Sequence, residues 1–523
     1  MFETAFLIGV YSYSIFLLGI LHLLSPVVRI LYSVIFVLIS LLLFGSKFKI
    51  SLKGFSKPLL VLLFLQSIIN LIGVLGPELA FDSLWYHLTI PKIYLNSGSI
   101  FFIPGNLLYY SGMPKLIEML YLGGLSLGGD AIPKLVHFSF GLLTVLVTYK
   151  IARTFVNKQL SLLASAIFYS NLVVGWESIT AFVDLPRAFF ESLALFSFLL
   201  FLKSKKGAYV LLCGSLIGLS IATKTLAFGS LVILLVLLTC WFLIIKKELK
   251  KYIQVVFLFL FSTLLFSFPF YLTTYFWTGN PLYPIFDKIL ILDQGFSFNF
   301  LYFPSFLFDL FLKSSDPISP IYVLVLPLIL LTLVKFNTEE KIALSYSLFA
   351  LLIVFLTPHL GGGRFIMPYL PAFSVLAVVP FKYLKDNFYL KCFNIIVIFI
   401  LFLSVFYRFG ANFKFLPLFL IQESKEKFME KNLNFSFGDF YDIDGYFKKN
   451  IHKDDKVLIY GIHNLYYVDF PFAHYTYAKK GELYNYVLVQ NSSLPGRFSE
   501  LREVYRNDVT HVKLYTNGNK WAY

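Results

Sequence analysis

The side chains that could do chemistry in this 523-residue chain are few, and they sit at the ends of apolar runs. Asp82, Tyr86 and Lys92 recur at helical or near-helical spacing, interleaved with Leu84, Trp85, Leu88 and Ile90. That pattern predicts an amphipathic helix in a membrane interface, its polar stripe turned towards the protein. An acid beside a bilayer is costly unless it is paired or used. Asp82 is therefore either the N-cap of a helix starting at Ser83 or a working carboxylate, while Glu78 reads as a solvated loop acid. Asp184 opens a second run with Pro186 in its first turn, where capping is again one reading. Arg187 shares its face, and an acid with an arginine at a helix start suits an anionic ligand or a metal. Two further cations stand out. Lys224 interrupts a pair of apolar runs, and Arg364 follows the glycines 361–363, which let backbone approach a ligand. Snorkelling to lipid phosphates is the alternative for both.

The elements that must position these residues follow from composition. The chain is 58% apolar and 14% charged, against about 25% charged in soluble domains. The excess lies in runs of about 20 residues, the length that crosses a ~30 Å hydrocarbon core. A soluble multidomain enzyme, a disordered chain and a disulfide-stapled secreted fold are excluded, and all three cysteines lie in apolar runs. The fold class is a polytopic α-helical membrane protein of about 13 spans, at 5–24, 27–44, 58–76, 131–152, 159–175, 184–202, 207–222, 225–245, 252–273, 319–335, 341–357, 364–383 and 390–408. The first run lacks a basic start and a cleavage site, so it reads as a retained span. A second polar segment in the first large loop, from Met113 through Lys115 and Glu118, is too short to span and reads as another interfacial helix.

Charge gives the orientation. Residues 1–408 hold 29 basic and 16 acidic side chains, and residues 409–523 hold 15 and 13. The basic surplus recurs in alternate short loops, including Lys47, Lys49, Lys53 and Lys57, then Lys246, Lys247, Lys250 and Lys251, then Lys382, Lys385 and Lys391. Such loops face the cytoplasm, and the surplus marks them rather than a nucleic-acid partner. The N-terminus is then cytoplasmic. Loop 77–130, loop 274–318 and the C-terminus lie outside, and every unexplained polar residue falls on that outer side.

The transmembrane module is expected over 1–408 and a connecting segment over 409–438. A small extracytoplasmic α/β domain is expected over 439–523, with strands near 456–460, 486–490 and 509–515 and a helix over 442–449. His463 and His474 match no metal-ligand spacing.

Several motifs occur in a telling order: Asp82 with Tyr86-His87; Met113-Pro114-Lys115 leading to Asp130; Lys134 to Gly141; Asp184-Leu185-Pro186; Gly218 to Lys224; Gly279 to Pro284; and Arg364 with Pro368 and Pro371. Over roughly residues 75–380 this order resembles the glycosyltransferase C superfamily, polytopic enzymes that take sugars from polyprenyl-phosphate carriers. Its nearest branch is that of protein mannosyltransferases and aminoarabinose transferases. The resemblance implies inverting transfer of a sugar from a polyprenyl-phosphate donor to an extracytoplasmic acceptor, whether lipid, glycan or protein, in the plasma or inner membrane. It further implies Asp82 as general base, Lys224 and Arg364 on the carrier phosphate, and Arg187 or Lys92 assisting. Asp184 would orient sugar or acceptor, and Tyr86, His87 and Lys115 would line the substrate pocket. A single-phosphate donor requires no nucleotide-binding motif, and none is present. Ser83 follows Asp82 where the family often doubles the acid, and a divalent cation stays open. Two rivals remain, a transporter or flippase and an O-antigen-type polymerase or ligase. The first predicts inverted repeats and midplane charges, and the sequence shows neither.

Overall fold

In hydrocarbon the backbone must satisfy its own hydrogen bonds, so apolar runs of this length become helices. A computed structural model describes residues 1–45, 54–287, 299–357, 362–384 and 388–523. Lys47, Lys49, Lys53, Lys385 and Gly361 lie outside the described residues. The first half runs through α1 (Phe2–Ile20), α2 (Pro26–Gly45), α3 (Lys57–Leu75), α4 (Thr89–Ser97), α5 (Leu116–Leu127) and α6 (Ala131–Ala152). It continues through α7 (Lys158–Tyr169), α8 (Leu172–Glu177), α9 (Asp184–Ser204), α10 (Gly207–Thr223), α11 (Phe228–Thr239) and α12 (Leu249–Thr278). Later helices cover Thr338–Leu356, Gly363–Lys382 and Phe388–Asn412. Among the described residues, eight helices are long and apolar enough to cross a bilayer, and four more apolar helical stretches are shorter. The chain is a multi-pass membrane protein, and each of the thirteen expected segments is largely helical.

The spans differ in how much lipid they can meet. α9 is 89% buried, whereas α3 is 39% buried. α9 therefore forms the bundle's core, flanked by α6 and α10, with α10 packed in turn on α12. Glycine makes that last contact possible. A Cβ at Gly214 would stand 2.3 Å from the Phe259 carbonyl oxygen, and one at Gly218 would stand 2.4 Å from that of Thr263. Small residues let helix backbones close to this range, where dispersion and helix–helix contact replace the missing hydrophobic drive.

The first large loop is helical, as its pattern predicts. A wide turn over 83–87 feeds α4, and α5 follows. α5 is buried from Leu116 to Gly124, wedged among α1, α2, α4 and α6 rather than half-exposed at an interface. Leu, Met and Tyr on every side of α5 suit it to that position.

The C-terminal region carries a five-stranded sheet in the order β2-β1-β4-β6-β5. Its strands are β1 (Val457–Tyr460), β2 (Phe472–His474), β4 (Tyr486–Gln490), β5 (Arg502–Asn507) and β6 (Val512–Thr516). β1 pairs in parallel with β2 and β4, and β6 runs antiparallel to β4 and β5. A short ribbon joins β3 (Leu483–Tyr484) to β7 (Trp521–Ala522). The expected strand at 509–515 begins only at Val512, because 508–511 turns the β5–β6 hairpin with His511 in the left-handed region. The expected helix at 442–449 is the shorter Tyr446–Asn450, since Gly445 sits at φ +71° before it.

Candidate active site

The two acids with an open choice between capping and chemistry do not cap. Asp82 precedes the turn at Ser83 with no side-chain cap bond, and Asp184 falls inside the first turn of α9, after Val183. Both carboxylates reach Arg364 instead. One guanidinium nitrogen lies 2.7 Å from Asp82 Oδ2, while Nε lies 3.1 Å from Asp184 Oδ2 and 3.3 Å from Glu177 Oε1. Lys224 Nζ donates to Asp184 Oδ1 at 2.6 Å, and the Tyr86 hydroxyl donates to Asp82 Oδ2 at 3.2 Å. The Arg364 guanidinium also lies over the Phe182 ring, 4.2 Å from its centroid. Residues far apart in sequence thus form one cluster of three acids and two cations.

Local folding sets this geometry. Lys224 ends α10 in extended backbone, which turns its side chain off the helix and across to the start of α9. Glu78, expected as a solvated loop acid, is only 1% exposed. Its carboxylate accepts the backbone N–H groups of Leu79, Ala80 and Ala181 at 2.7–2.9 Å, tying the Asp82 loop to the segment before Asp184. Burial pushes the Glu78 carboxyl up, and the cation of Lys134 opposes that shift. Lys134 Nζ itself donates to the carbonyls of Gly73, Gly76 and Pro77, holding the exit of α3.

Glu177, which the sequence reading passed over, is fully buried among these groups. Its carboxyl is pushed well above the ordinary range by burial and by the neighbouring Asp184, against the pull of Arg364 and Lys224. Three acids thus share two cations, and Glu177 is the one whose carboxyl burial drives towards its neutral form. Below it, His137 Nδ1 donates to the Glu177 carbonyl at 2.9 Å, and its Nε2 accepts from the Leu185 N–H at 3.3 Å. Those two bonds fix the tautomer.

A cavity opens beside the cluster, lined by Tyr86, His87, Tyr110, Met113, Lys115, Glu118, Val183 and Lys224. His87 Nδ1 shares a 2.7 Å hydrogen bond with Glu118, which sets the imidazole in the wall. Lys115 Nζ donates to the Met113 carbonyl at 2.6 Å and lies within 5.1–5.9 Å of the rings of Phe16, Phe270 and Trp277. Burial lowers its pKa to about 7, with Glu118 opposing.

Of the sequence-derived candidates, Asp82, Tyr86, Asp184, Lys224 and Arg364 meet in the cluster, and His87 and Lys115 line the adjoining cavity. Two stand apart. Lys92 turns away to the C-terminal region, where Nζ binds the carbonyls of Tyr466 and Val468 and the Asp469 carboxylate at 2.5–3.0 Å. Arg187 lies one turn from Asp184, but its Nε is 2.5 Å from Glu191, itself bound by Ser220 and Ser230. An i,i+4 partner on its own helix has neutralised Arg187 inside the bundle. Glu191 was visible in the sequence at that spacing.

The C-terminal region closes over the Asp82 loop. The Tyr467 hydroxyl is 2.9 Å from the Glu78 carbonyl oxygen and 2.8 Å from Asp130 Oδ2. The Tyr466 N–H donates to the Leu84 carbonyl, and the His463 ring stacks on Phe81 and tilts against Trp85. Gly438 at φ +95° permits this, since a Cβ there would come within 2.9 Å of His463. Among the described residues, no group of three or more His, Cys, Asp or Glu side chains is arranged to hold a metal ion.

Residues 126–267 match the family described as dolichyl-phosphate-mannose-protein mannosyltransferase. The fold is that of ArnT from Cupriavidus metallidurans bound to undecaprenyl phosphate, at a TM-score of 0.61 and 13% identity, over 88% of this chain and 97% of that one. The apo form of that protein aligns equally well, at 0.60 and 12%. The Archaeoglobus fulgidus oligosaccharyltransferase in complex with zinc and sulfate aligns at 0.47 and 14%, over 88% of this chain and 74% of that one. No curated protein matches the sequence. The chain is thus similar to members of the glycosyltransferase C superfamily, as the order of its motifs suggested.

Proposed function

We propose that this protein is a membrane glycosyltransferase that moves a sugar from a polyprenyl-phosphate donor to an acceptor on the extracytoplasmic side, with inversion at the sugar. The observation that carries the reading is the meeting of Asp82, Asp184, Lys224 and Arg364 beside one cavity. Asp82 takes the proton of the acceptor as its oxygen attacks the anomeric carbon. The glycosyl–phosphate bond breaks on the opposite face, and the carrier leaves as a phosphate. Lys224 and Lys115 line the cavity where that phosphate departs, and Arg364 adjoins Lys224 through their shared partner Asp184. Fixed cations are worth more here than in water, because the bundle excludes solvent.

Arg364 has a second part in this scheme. Before donor binds, it holds the Asp82 carboxylate. A donor phosphate competes for the same guanidinium and frees Asp82 to act as base. Asp184 stays bound to Lys224 and orients the pair. The orientation follows the charge of the loops, with the N-terminus cytoplasmic and residues 439–523 outside as a cover over the Asp82 loop.

The test is transfer from a defined polyprenyl-phosphate sugar by purified protein. Asp82→Asn should keep its fold and donor binding and lose roughly 10²–10⁴-fold in rate. A well-folded Asp82→Asn protein with full transfer activity sinks the assignment. Turnover of a pyrophosphate-linked oligosaccharide instead of the monophosphate favours a polymerase or ligase.

A further inference from the structure

A second polar cavity, of about 440 Å³, opens at the seam between the helical bundle and the C-terminal region. Its walls come from Arg29 on the first turn of α2, Lys92 on α4, Ser126 and Asp130 at the α5–α6 corner, and Lys425 with Asp469 from the C-terminal side. The acids there are engaged. Asp130 accepts from the Glu78 N–H at 2.7 Å and from Tyr467, and Asp469 is paired with Lys92. Three cations thus face two acids, an excess of one, and Arg29 and Lys425 are the two cations without an ion-pair partner among the described residues. Arg29 gives one nitrogen to the Leu95 carbonyl, and its buried Nε has no hydrogen-bond partner among the described residues. Lys425 is exposed, lies 5.6 Å from the Tyr467 ring centroid and forms no ion pair among the described residues.

The setting names the ligand class. Beyond Arg29, α2 turns Ile30, Leu31, Val34, Ile35, Leu38 and Leu42 outward, an exposed apolar face that only hydrocarbon would cover. Arg29 is therefore at the boundary where acyl chains give way to headgroups, and the cavity with its two unpaired cations opens at the same level. Oxygens of a phosphodiester match the free donors of a guanidinium and an ammonium. We propose that this cavity holds the phosphate of an anionic bilayer lipid, whose chains lie along α2, and that the lipid fastens the C-terminal region to the bundle through Arg29 and Lys425. The site is distinct from the cavity beside Asp82, and the inference needs only the membrane setting, not the transferase reading.

The full-length protein, reconstituted in phosphatidylcholine containing a fifth phosphatidylglycerol and re-extracted in mild detergent, should carry phosphatidylglycerol visible by native mass spectrometry. Each basic residue near an anionic membrane surface adds about fivefold to binding, so Arg29→Gln with Lys425→Gln should lower retention by roughly thirtyfold. Gly129→Glu is an independent probe. A Cβ at Gly129 meets nothing within 4 Å, so the new carboxylate should fold in and repel the headgroup. It too should strip the lipid, while thermal unfolding in plain phosphatidylcholine stays as in the parent. Equal phosphatidylglycerol retention by the parent and both folded variants overturns the proposal. So does stabilisation of the parent by millimolar inorganic phosphate without lipid enrichment, which would assign the cavity to a free anion.

Discussion

Replacing Arg364 by methionine removes one guanidinium from Asp82, Asp184 and Glu177 at once. Taking one partner out of a buried ion pair costs about 3–5 kcal/mol, because the charge left behind keeps its desolvation penalty. The Arg364 side chain is 17% exposed, and Lys224 remains on Asp184, so the lower end applies. A loss of about 3 kcal/mol should appear as a fall of several degrees in Tm. The catalytic loss is separate. A preorganised charge aimed at a developing anion is worth roughly 10²–10³ in kcat, and Arg364→Met should lose at least that. Arg364→Lys supplies the charge without the planar fork that reaches three acids. It should recover part of the rate and less of the stability. The assay is transfer from a polyprenyl-phosphate sugar in detergent, with thermal unfolding on the same samples. An Arg364→Met protein within threefold of parental kcat and with unchanged Tm would refute both the pairing and the phosphate role.

Three more outcomes follow from the site. Glu78→Ala strands the half-buried N–H groups of Leu79 and Ala80, at up to about 1–3 kcal/mol each, and leaves that of Ala181 with Ser83 Oγ alone. It should lower Tm and, by displacing Asp82 from Asp184, cost about 10² in kcat with donor KM little changed. Burial holds the Lys115 pKa near 7, so its cation is present below that pH and lost above it. Donor kcat/KM should therefore fall as pH rises through about 7, and Lys115→Arg, which stays charged, should flatten that limb. Lys92→Met removes two carbonyl contacts and a pair whose acid is 84% exposed. It should leave donor KM unchanged while speeding proteolysis between residues 409 and 424.

Hydropathy made much of this molecule legible. Apolar runs gave the helices, and acids or cations at their ends gave Asp82, Asp184, Lys224 and Arg364. What sequence patterning could not rank was which charge meets which. Glu78 lies beside a glycine and a proline, as a surface turn acid would, yet three backbone donors from two segments draw it inside. Lys92 shares a stripe with Asp82 on paper. The wide turn at 83–87 rotates it off that stripe towards a loop nearly 380 residues away. Hydropathy also counted α9 and α3 alike, though one is interior and the other meets lipid, because both environments select the same side chains. The order of strands in the C-terminal sheet depends on a parallel crossover from β1 to β4, and local patterns carry no information on such pairings.

α9 brings Asp184, Arg187 and Glu191 into the membrane within its first eight residues. A single charge costs about 2.5–3.5 kcal/mol at mid-bilayer and less nearer the interface, so three in the first eight residues would tax the delivery of α9, whose other charge, Lys203, sits in its last turn. The Arg187–Glu191 contact spans one helical turn and needs no second helix. It can form as the segment leaves the ribosome, and the insertion machinery then meets a neutral pair and one end-placed acid. Asp184 waits for Lys224, which arrives with the very next hairpin. The order of the charges along the chain is thus also an order of assembly.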